Sequence, residues 1–351
     1  MNIVLTSVGR RSYLVKYFKE ALGADGAVIC VNSQDSGPAR RYADFFYQVP
    51  ESCSAAYLPE LRRICRVHQI QALFSLHDLD TYVLSRSHAE LSDLKLTAFL
   101  PDPIWNEIAL DKLLTHHALT RHGLPCPWTT DSLEEARRRM EAAETRGTSL
   151  PMIIKARYGF GSLGLRVCLR SPELAPAFHQ ALAEVERSSF YGAMAQLKPG
   201  QTQLIIQEQI VGREKRLGIV HDLKGRHLST LAAEVHSMRA GETDTACTIP
   251  VEESIGRMAS QLSGLTQHIG IWGIDCISRE GVTYILDINP RFTGEYPFFH
   301  LAGANIPRAL LCLVAGNRLQ PEDLVCRNPV KSYKELVPRI YDAADESGGA
   351  T

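Results

Sequence analysis

The feature that most limits what this chain can fold into is a change of period repeated through its first hundred residues. Short apolar runs at 2–8, 27–33, 45–50, 71–77 and 95–100 alternate with helical patterns near 11–22, 57–69 and 80–91. That alternation predicts parallel strands joined by helical crossovers, an α/β sheet covered by helices. Thr6-Ser7-Val8-Gly9-Arg10-Arg11 leaves the first strand at the carboxyl edge of the sheet, where ligands of open α/β sheets collect. Only one glycine stands in this turn, so the dinucleotide fingerprint G-x-G-x-x-G fails.

Pro101-Asp102-Pro103 marks the next boundary, with Asp102 as N-cap and Pro103 in the first turn of a helix expected to run to about His122. Gly123-Leu124-Pro125-Cys126-Pro127 breaks the chain before a smaller α+β segment. In it 134–145 reads as a charged helix, 151–157 and 165–169 as strands and 172–187 as a helix. From Gln203 the pattern is mainly strand, interrupted by a helix near 252–268, and the polar tail after about Asp342 is expected to fray. The 351 residues suffice for two or three domains. A net charge of −1 favours neither nucleic acid nor an anionic membrane surface. No apolar run approaches the ~20 residues that span a bilayer. Nine scattered cysteines without a Cys-x-x-Cys pair read as small core residues in a reducing compartment. With no signal-peptide pattern after Met1, a cytoplasmic location is expected.

Chemistry enters with the hairpin pattern Gly273-Ile274-Asp275-Cys276-Ile277 … Tyr284-Ile285-Leu286-Asp287-Ile288-Asn289. A three-residue loop, Glu280 to Val282, sets Arg279 against Thr283 and Asp275 directly opposite Asp287, with Asn289 on the same face. Opposed like charges repel, and an apolar setting makes the repulsion worse. A divalent cation resolves it, since Mg²⁺ takes one or two carboxylates and fills its other positions with phosphate oxygens and water. The alternative is two surface acids on an edge hairpin.

Lys155 ends an apolar strand that runs into Gly159-Phe160-Gly161-Ser162-Leu163-Gly164. Glycines let backbone N–H groups approach an anion closely, and a lysine feeding such a hairpin can hold nucleotide phosphates. A flexible hairpin beside a solvated lysine is the plainer reading. Gln207-Glu208-Gln209-Ile210, leaving a strand and turning at Gly212, can offer backbone groups to an adenine edge, and Glu214 a carboxylate to ribose. A hairpin with surface acids explains that segment equally well.

Taken together, Lys112, Lys155, the 159–164 loop, the 207–214 segment, Asp275, Asp287, Asn289 and Arg291 resemble, in order and rough spacing, the ATP-grasp superfamily. Arg291-Phe292-Thr293-Gly294-Glu295-Tyr296-Pro297 followed by His300-Leu301-Ala302-Gly303-Ala304-Asn305-Ile306-Pro307 is similar to the carbamoyl-phosphate-synthase-large-chain-like ligases. The resemblance covers about residues 1–320. It implies a Rossmann-like N-terminal domain (1–101), linker helices and a small subdomain (102–190), a large subdomain with a metal site (191–330) and a tail (331–351). It also implies that ATP lies between the two subdomains. Lys112, Lys155, Gly159, Gly161, Ser162 and Gly164 would meet its phosphates; Gln207, Glu208, Gln209 and Ile210 would take adenine, and Glu214 ribose. Asp275, Asp287 and Asn289 would hold Mg²⁺ or Mn²⁺, although most members carry Glu where Asp287 stands. Arg291 would stabilise the transferring phosphoryl group, with Arg239 as a second basic residue near it.

The activity so implied is an ATP-dependent ligase joining a small carboxylic acid to an amine through an acyl phosphate. Carboxyphosphate formation from bicarbonate, or an ATP-binding module without catalysis, are the alternatives. Arg10 or Arg11 is expected to meet a substrate carboxylate, and Glu295 a cationic amine, which makes an amino acid the expected nucleophile. Apolar stretches near 298–315 read equally as core or as the surface of a homodimer.

Overall fold

The structure, a computed structural model, describes residues 1–159, 161–338 and 340. Phe160 of the glycine loop and the tail expected to fray after Asp342 lie outside the described residues. The N-terminal apolar runs become β1 (Ile3–Thr6), β2 (Val28–Asn32), β3 (Phe45–Gln48), β4 (Ala72–Ser75) and β5 (Thr97–Phe99). All pair in parallel, in the order β3-β2-β1-β4-β5. Such strands read as continuous apolar runs because both faces are covered. Ile3, Leu5 and Phe74 pack against Leu14 and Phe18 of α1 (Ser12–Leu22), whereas Val4, Ile29 and Leu73 pack against α2 (Tyr57–Val67) and α3 (Asp78–Arg86). A short α4 (His88–Leu91) precedes β5. β1 lies between β2 and β4, so the loops leaving β1 and β4 flank a topological switch point. Buried Asp80 accepts hydrogen bonds from Thr6, Tyr57 and Ser75 and so ties the two loops together.

The single helix expected over 103–122 is two, α5 (Pro103–Leu110) and α6 (Lys112–Arg121). Asp111 between them is extended (φ −107°, ψ 106°), and its carboxylate accepts from Leu113 N and Leu114 N as the cap of α6. Next come β6 (Thr129–Thr130), α7 (Leu133–Thr145), β7 (Met152–Ala156), β8 (Arg166–Cys168), α8 (Leu174–Val185), α9 (Ser189–Leu197) and β9 (Leu204–Glu208). Their strands form an antiparallel sheet in the order β6-β9-β7-β8. Met152, Ile154 and Ala156 pack into the apolar cluster with α7 and α8, which turns Ile153 and Lys155 to the other face.

The remaining strands are β10 (Arg213–His221), β11 (His227–Arg239), β12 (Glu242–Thr248), β13 (Gly270–Arg279), β14 (Val282–Asn289) and β15 (Lys331–Tyr333). They form an antiparallel sheet in the order β14-β13-β10-β11-β12-β15. α10 (Glu253–Ser263) covers one face through Ile255, Ala259 and Leu262 against Trp272, Ile274 and Cys276. Residues 234–243 form the end of β11 and the start of β12, with the turn at Ala240 and Gly241. α11 (Tyr296–Leu301) and α12 (Ile306–Val314) join the N-terminal core, where Phe298, Phe299, Ile306, Leu310 and Leu311 are buried. The apolar 298–315 stretch is therefore largely core.

Candidate functional site

The face of β13 turned away from α10 carries Gly273, Asp275 and Ile277. Asp275 pairs directly with Asp287 and Gly273 with Asn289. The route to that register differs from the expected one. The turn is two residues, Glu280 and Gly281, both left-handed (φ 53° and 80°), so Arg279 pairs with Val282. A bulge at Leu286 then restores the Asp275–Asp287 pair and places both carboxylates on one face. Gly273 is needed on that face because a Cβ there would stand 2.3 Å from the Thr293 methyl.

Burial raises both carboxyls above their usual range. Lys112, Lys155 and, at Asp275, Arg216 oppose the rise, and Asp275 adds to it at Asp287. The two acids differ in their partners. Asp287 Oδ2 lies 3.3 Å from Lys112 Nζ. Asp275 Oδ1 lies 3.4 Å from Nε of buried Arg216, its cross-strand neighbour on β10. No local pattern marks Arg216, because its position opposite Asp275 depends on the strand pairing between β10 and β13. Burial works against the Arg216 charge, but Asp275, Glu295 and Glu214 outweigh it.

Two lysines reach this face from outside the large sheet. Lys112 opens α6 and donates to Gly159 O at 2.8 Å. Lys155 lies on the free face of β7, where burial first, and Lys112 second, depress its ammonium to about 8. The space bounded by Asp78, Lys112, Gly159, Asp287 and Asn289 is about 10 Å³, roughly one water molecule. In the glycine loop, Gly159, Gly161, Ser162 and Gly164 all have positive φ. Gly164 is a packing residue: its N–H donates to Glu184 at 3.3 Å, and a Cβ would strike Val185. Gly161 lies against Gly241 at the β11–β12 turn so closely that a Cβ on Gly241 would come 2.8 Å from the Gly161 carbonyl carbon.

Several expected residues are already engaged. Gln207 donates through Nε2 to Thr129 Oγ1 at 2.9 Å, and the N–H groups of Glu208 and Gln209 go to Trp128 O and Pro151 O. The Ile210 N–H has no partner among the described residues. The Glu214 carboxylate accepts from Arg216 at 3.1 Å. Arg239 pairs with Asp244 at the half-exposed end of β11.

Arg291 grips Asp78 with two bonds of 2.6 Å and also donates to Asn289 Oδ1 and Phe292 O. Burial pushes Asp78 up, but Arg291 outweighs it and holds the carboxyl at about 2. Asp78 opens α3 just beyond β4, yet a pairing across 213 positions leaves no local signal. Arg10, expected to meet substrate, is exposed to solvent. Its neighbour Arg11 is the one turned inward: burial, and then Arg291, lower its pKa, while Tyr13, Asp78 and Glu242 act in the opposite direction. Arg11 forms no ion pair with any described residue. Glu295 is 7% exposed, and its Oε1 has no hydrogen-bond partner among the described residues.

Among the described residues no group of three or more His, Cys, Asp or Glu forms a metal cage. Two opposed carboxylates and an amide oxygen are instead a partial donor set. That suits a hard cation which keeps water and phosphate oxygens in its remaining positions.

Two family models match the chain: PylC-like, N-terminal domain over residues 3–99, and ATP-grasp domain over 109–295. An acetyl-CoA carboxylase of Dictyostelium discoideum is 29% identical over 187 residues, covering 53% of this chain and 8% of the relative. The carbamoyl phosphate synthase large chain of Thermotoga neapolitana is 26% identical over 223 residues, covering 61% and 19%. The chain thus spans less than a fifth of the length of both relatives. An ADP complex of purK, N5-carboxyaminoimidazole ribonucleotide synthetase, shares the fold with a TM-score of 0.71 at 13% identity, covering 94% of this chain and 80% of that one.

Proposed function

The chain belongs to the ATP-grasp family, and from that premise we propose that it is an ATP-dependent ligase joining a carboxylic acid to an amine through an acyl phosphate. One observation carries the reading: Asp275 and Asp287 lie directly opposed on one face, while Lys112 and Lys155 converge on them from α6 and β7. Two acids, an amide oxygen and two ammonium groups suit a nucleotide polyphosphate with its metal.

Asp275, Asp287 and Asn289 would hold Mg²⁺ or Mn²⁺, which when bound neutralises charge on the β- and γ-phosphates. Lys112 and Lys155 meet the same phosphates, and the Gly159, Gly161 and Ser162 backbone covers them. Ile210 N–H is the free donor for adenine beside Gln207, Glu208 and Gln209, and Glu214 faces ribose. The glycine loop lifts to admit the triphosphate and closes over it afterwards. Closure excludes water from an acyl phosphate that water would otherwise destroy. Arg291, with Arg239 as a second basic residue, supplies fixed positive charge for the phosphoryl group. The protein contributes charge, orientation and dryness, and no side-chain nucleophile is needed.

The substrates proposed are small molecules, with an amino acid as the amine. Arg11 is a half-buried cation without an ion-pair partner among the described residues, and Glu295 a buried carboxylate with an unused oxygen. Buried charges are normally paired, so these two suit a ligand carrying both signs. Bicarbonate as the acid is the second reading, supported by the carboxylase and carbamoyl phosphate synthase likenesses.

The test is ADP release from Mg-ATP with pooled carboxylic and amino acids, using hydroxylamine as a surrogate nucleophile. A hydroxamate product supports acid activation, and its mass names the acid. ADP release that needs only bicarbonate favours the second reading, and no stimulation by either leaves a nucleotide-binding module.

A further inference from the structure

Lys112 and Lys155 are like charges on separate elements, close enough that Lys112 depresses the ammonium of Lys155. Left to themselves they would splay apart. Between the chain segments that carry them lies a buried ion pair that the site itself does not use. Asp111 is 1% exposed and Arg157 7% exposed. Arg157 Nε donates to Asp111 Oδ1 at 2.8 Å, and Nη2 to Oδ2 at 2.7 Å. The same carboxylate caps α6, whose first residue is Lys112, and accepts from Tyr158 Oη at 3.1 Å. The backbone repeats the connection: Lys112 N donates to Arg157 O at 3.2 Å, and Arg157 N to Gln203 O at 2.9 Å. A second carboxylate, Asp131, lies 3.3 Å from Arg157 Nη1 and holds the far side of the guanidinium.

We propose that Asp111 and Arg157 form a positioning clamp that sets the separation of Lys112 and Lys155, and so determines how tightly the phosphates of the nucleotide are held. The inference rests on the ATP reading of the site. The clamp itself touches no ligand. It acts because Asp111 immediately precedes one lysine and Arg157 follows the other by two residues, so a rigid bidentate bond between them fixes both lysine backbones. A planar fork against a carboxylate gives that rigidity, which a lysine at 157 would not.

The experiment compares ATP and adenosine binding to wild type, Asp111→Ser, Asp111→Asn and the double variant Asp111→Ser/Arg157→Met, alongside thermal unfolding and, where turnover is found, kcat and KM for ATP. Serine keeps an acceptor for capping α6 but loses the fork; asparagine keeps both in part. The double variant removes both charges, which a folded core tolerates better than one orphan. The expected result is ATP affinity at least about tenfold weaker in the serine and double variants, adenosine affinity unchanged, and the asparagine variant intermediate. Misplaced phosphates should also lower kcat, by up to about 10²-fold. ATP affinity equal to wild type in the double variant overturns the clamp, as does an equal loss for ATP and adenosine, which marks a general structural defect. A wild-type chain that does not bind ATP removes the reading beneath it instead.

Discussion

The two ends of the cleft treat charge in opposite ways. At the β13–β14 end, Asp287 has Lys112 and Asp275 has Arg216, so each acid lies within 3.4 Å of a cation. At the end formed by the β1 loop and the 291–295 segment, only Arg291 is matched, by Asp78. Arg11 and the free oxygen of Glu295 remain without partners among the described residues. Paired charges keep a folded site stable while it awaits a ligand that will take over the pairing. Unpaired buried charges cost stability and are informative for that reason. Under the proposed function the first end would meet the permanent partner chemistry, phosphate and metal, and the second the variable substrate.

The assignment breaks most visibly at the paired end. Lys155→Met or Asp287→Asn should lower ligase turnover by about 10²–10³-fold, the scale of losing one preorganised electrostatic contact, while circular dichroism stays that of the wild type. Near-wild-type ADP release by either purified variant would sink the phosphate assignment. At the unpaired end the expected effect is smaller and of a different kind. Glu295→Gln should raise KM for the amine by about tenfold, a loss of about 1.4 kcal/mol, and leave ATP affinity unchanged. An unaltered amine KM removes Glu295 from the substrate site.

A third prediction concerns how the two ends are sealed together. Gly241 has φ of +77° and its Cα faces the Gly161 backbone. Gly241→Ala introduces both left-handed strain, of about 1 kcal/mol, and a methyl where the glycine loop rests. The loop should close less well, lowering kcat several-fold and raising ADP release that is not matched by ligated product. Tight coupling of ADP to product in this variant would mean that the 161–241 contact plays no part in closure.

How much of this was legible in the sequence follows the range of the interactions. The parallel sheet shows in the N-terminal runs because burial on both faces leaves every residue of β1 and β4 apolar or small. The acid pair shows because a hairpin is local, although the expected three-residue loop and the observed two-residue turn with a bulge reach it by different routes. The break at Asp111 does not show: an aspartate between helical patterns looks like a solvated helix residue until Arg157, 46 positions away, claims it. The contacts of Arg216 with Asp275 and of Arg291 with Asp78 join residues still farther apart in sequence. α9 has no clear pattern in the sequence, since of its residues only Met194 is fully buried and the helical contrast is small. The end of β11 hides for the opposite reason: His236, Ser237, Met238 and Arg239 are all exposed, so the alternation that marks a half-buried strand is lost.

The finest test of the comparison is pH, because it reads one lysine. Lys155 titrates near 8 in the folded chain, lowered by burial and by Lys112 and supported by Asp287 and Asp275; an unfolded lysine titrates near about 10.4. Below pH 8 the ammonium is present and can meet phosphate; above it the charge is lost. ATP affinity measured without added metal should therefore be flat up to pH 7.5 or so and fall by at most about tenfold per unit above 8. Folding stability without nucleotide should move the other way. Between about 8 and 10.4 the unfolded lysine keeps a proton that the folded one has lost, so this residue's contribution to stability rises with pH across that window. Both slopes should vanish in Lys155→Met, and opposite slopes in the wild type are the signature of a cation held ready for an anion at a cost to the fold. If wild type and variant share one pH profile in both measurements, the lysine is not desolvated beside the acids, and the contrast between the two ends loses its electrostatic basis.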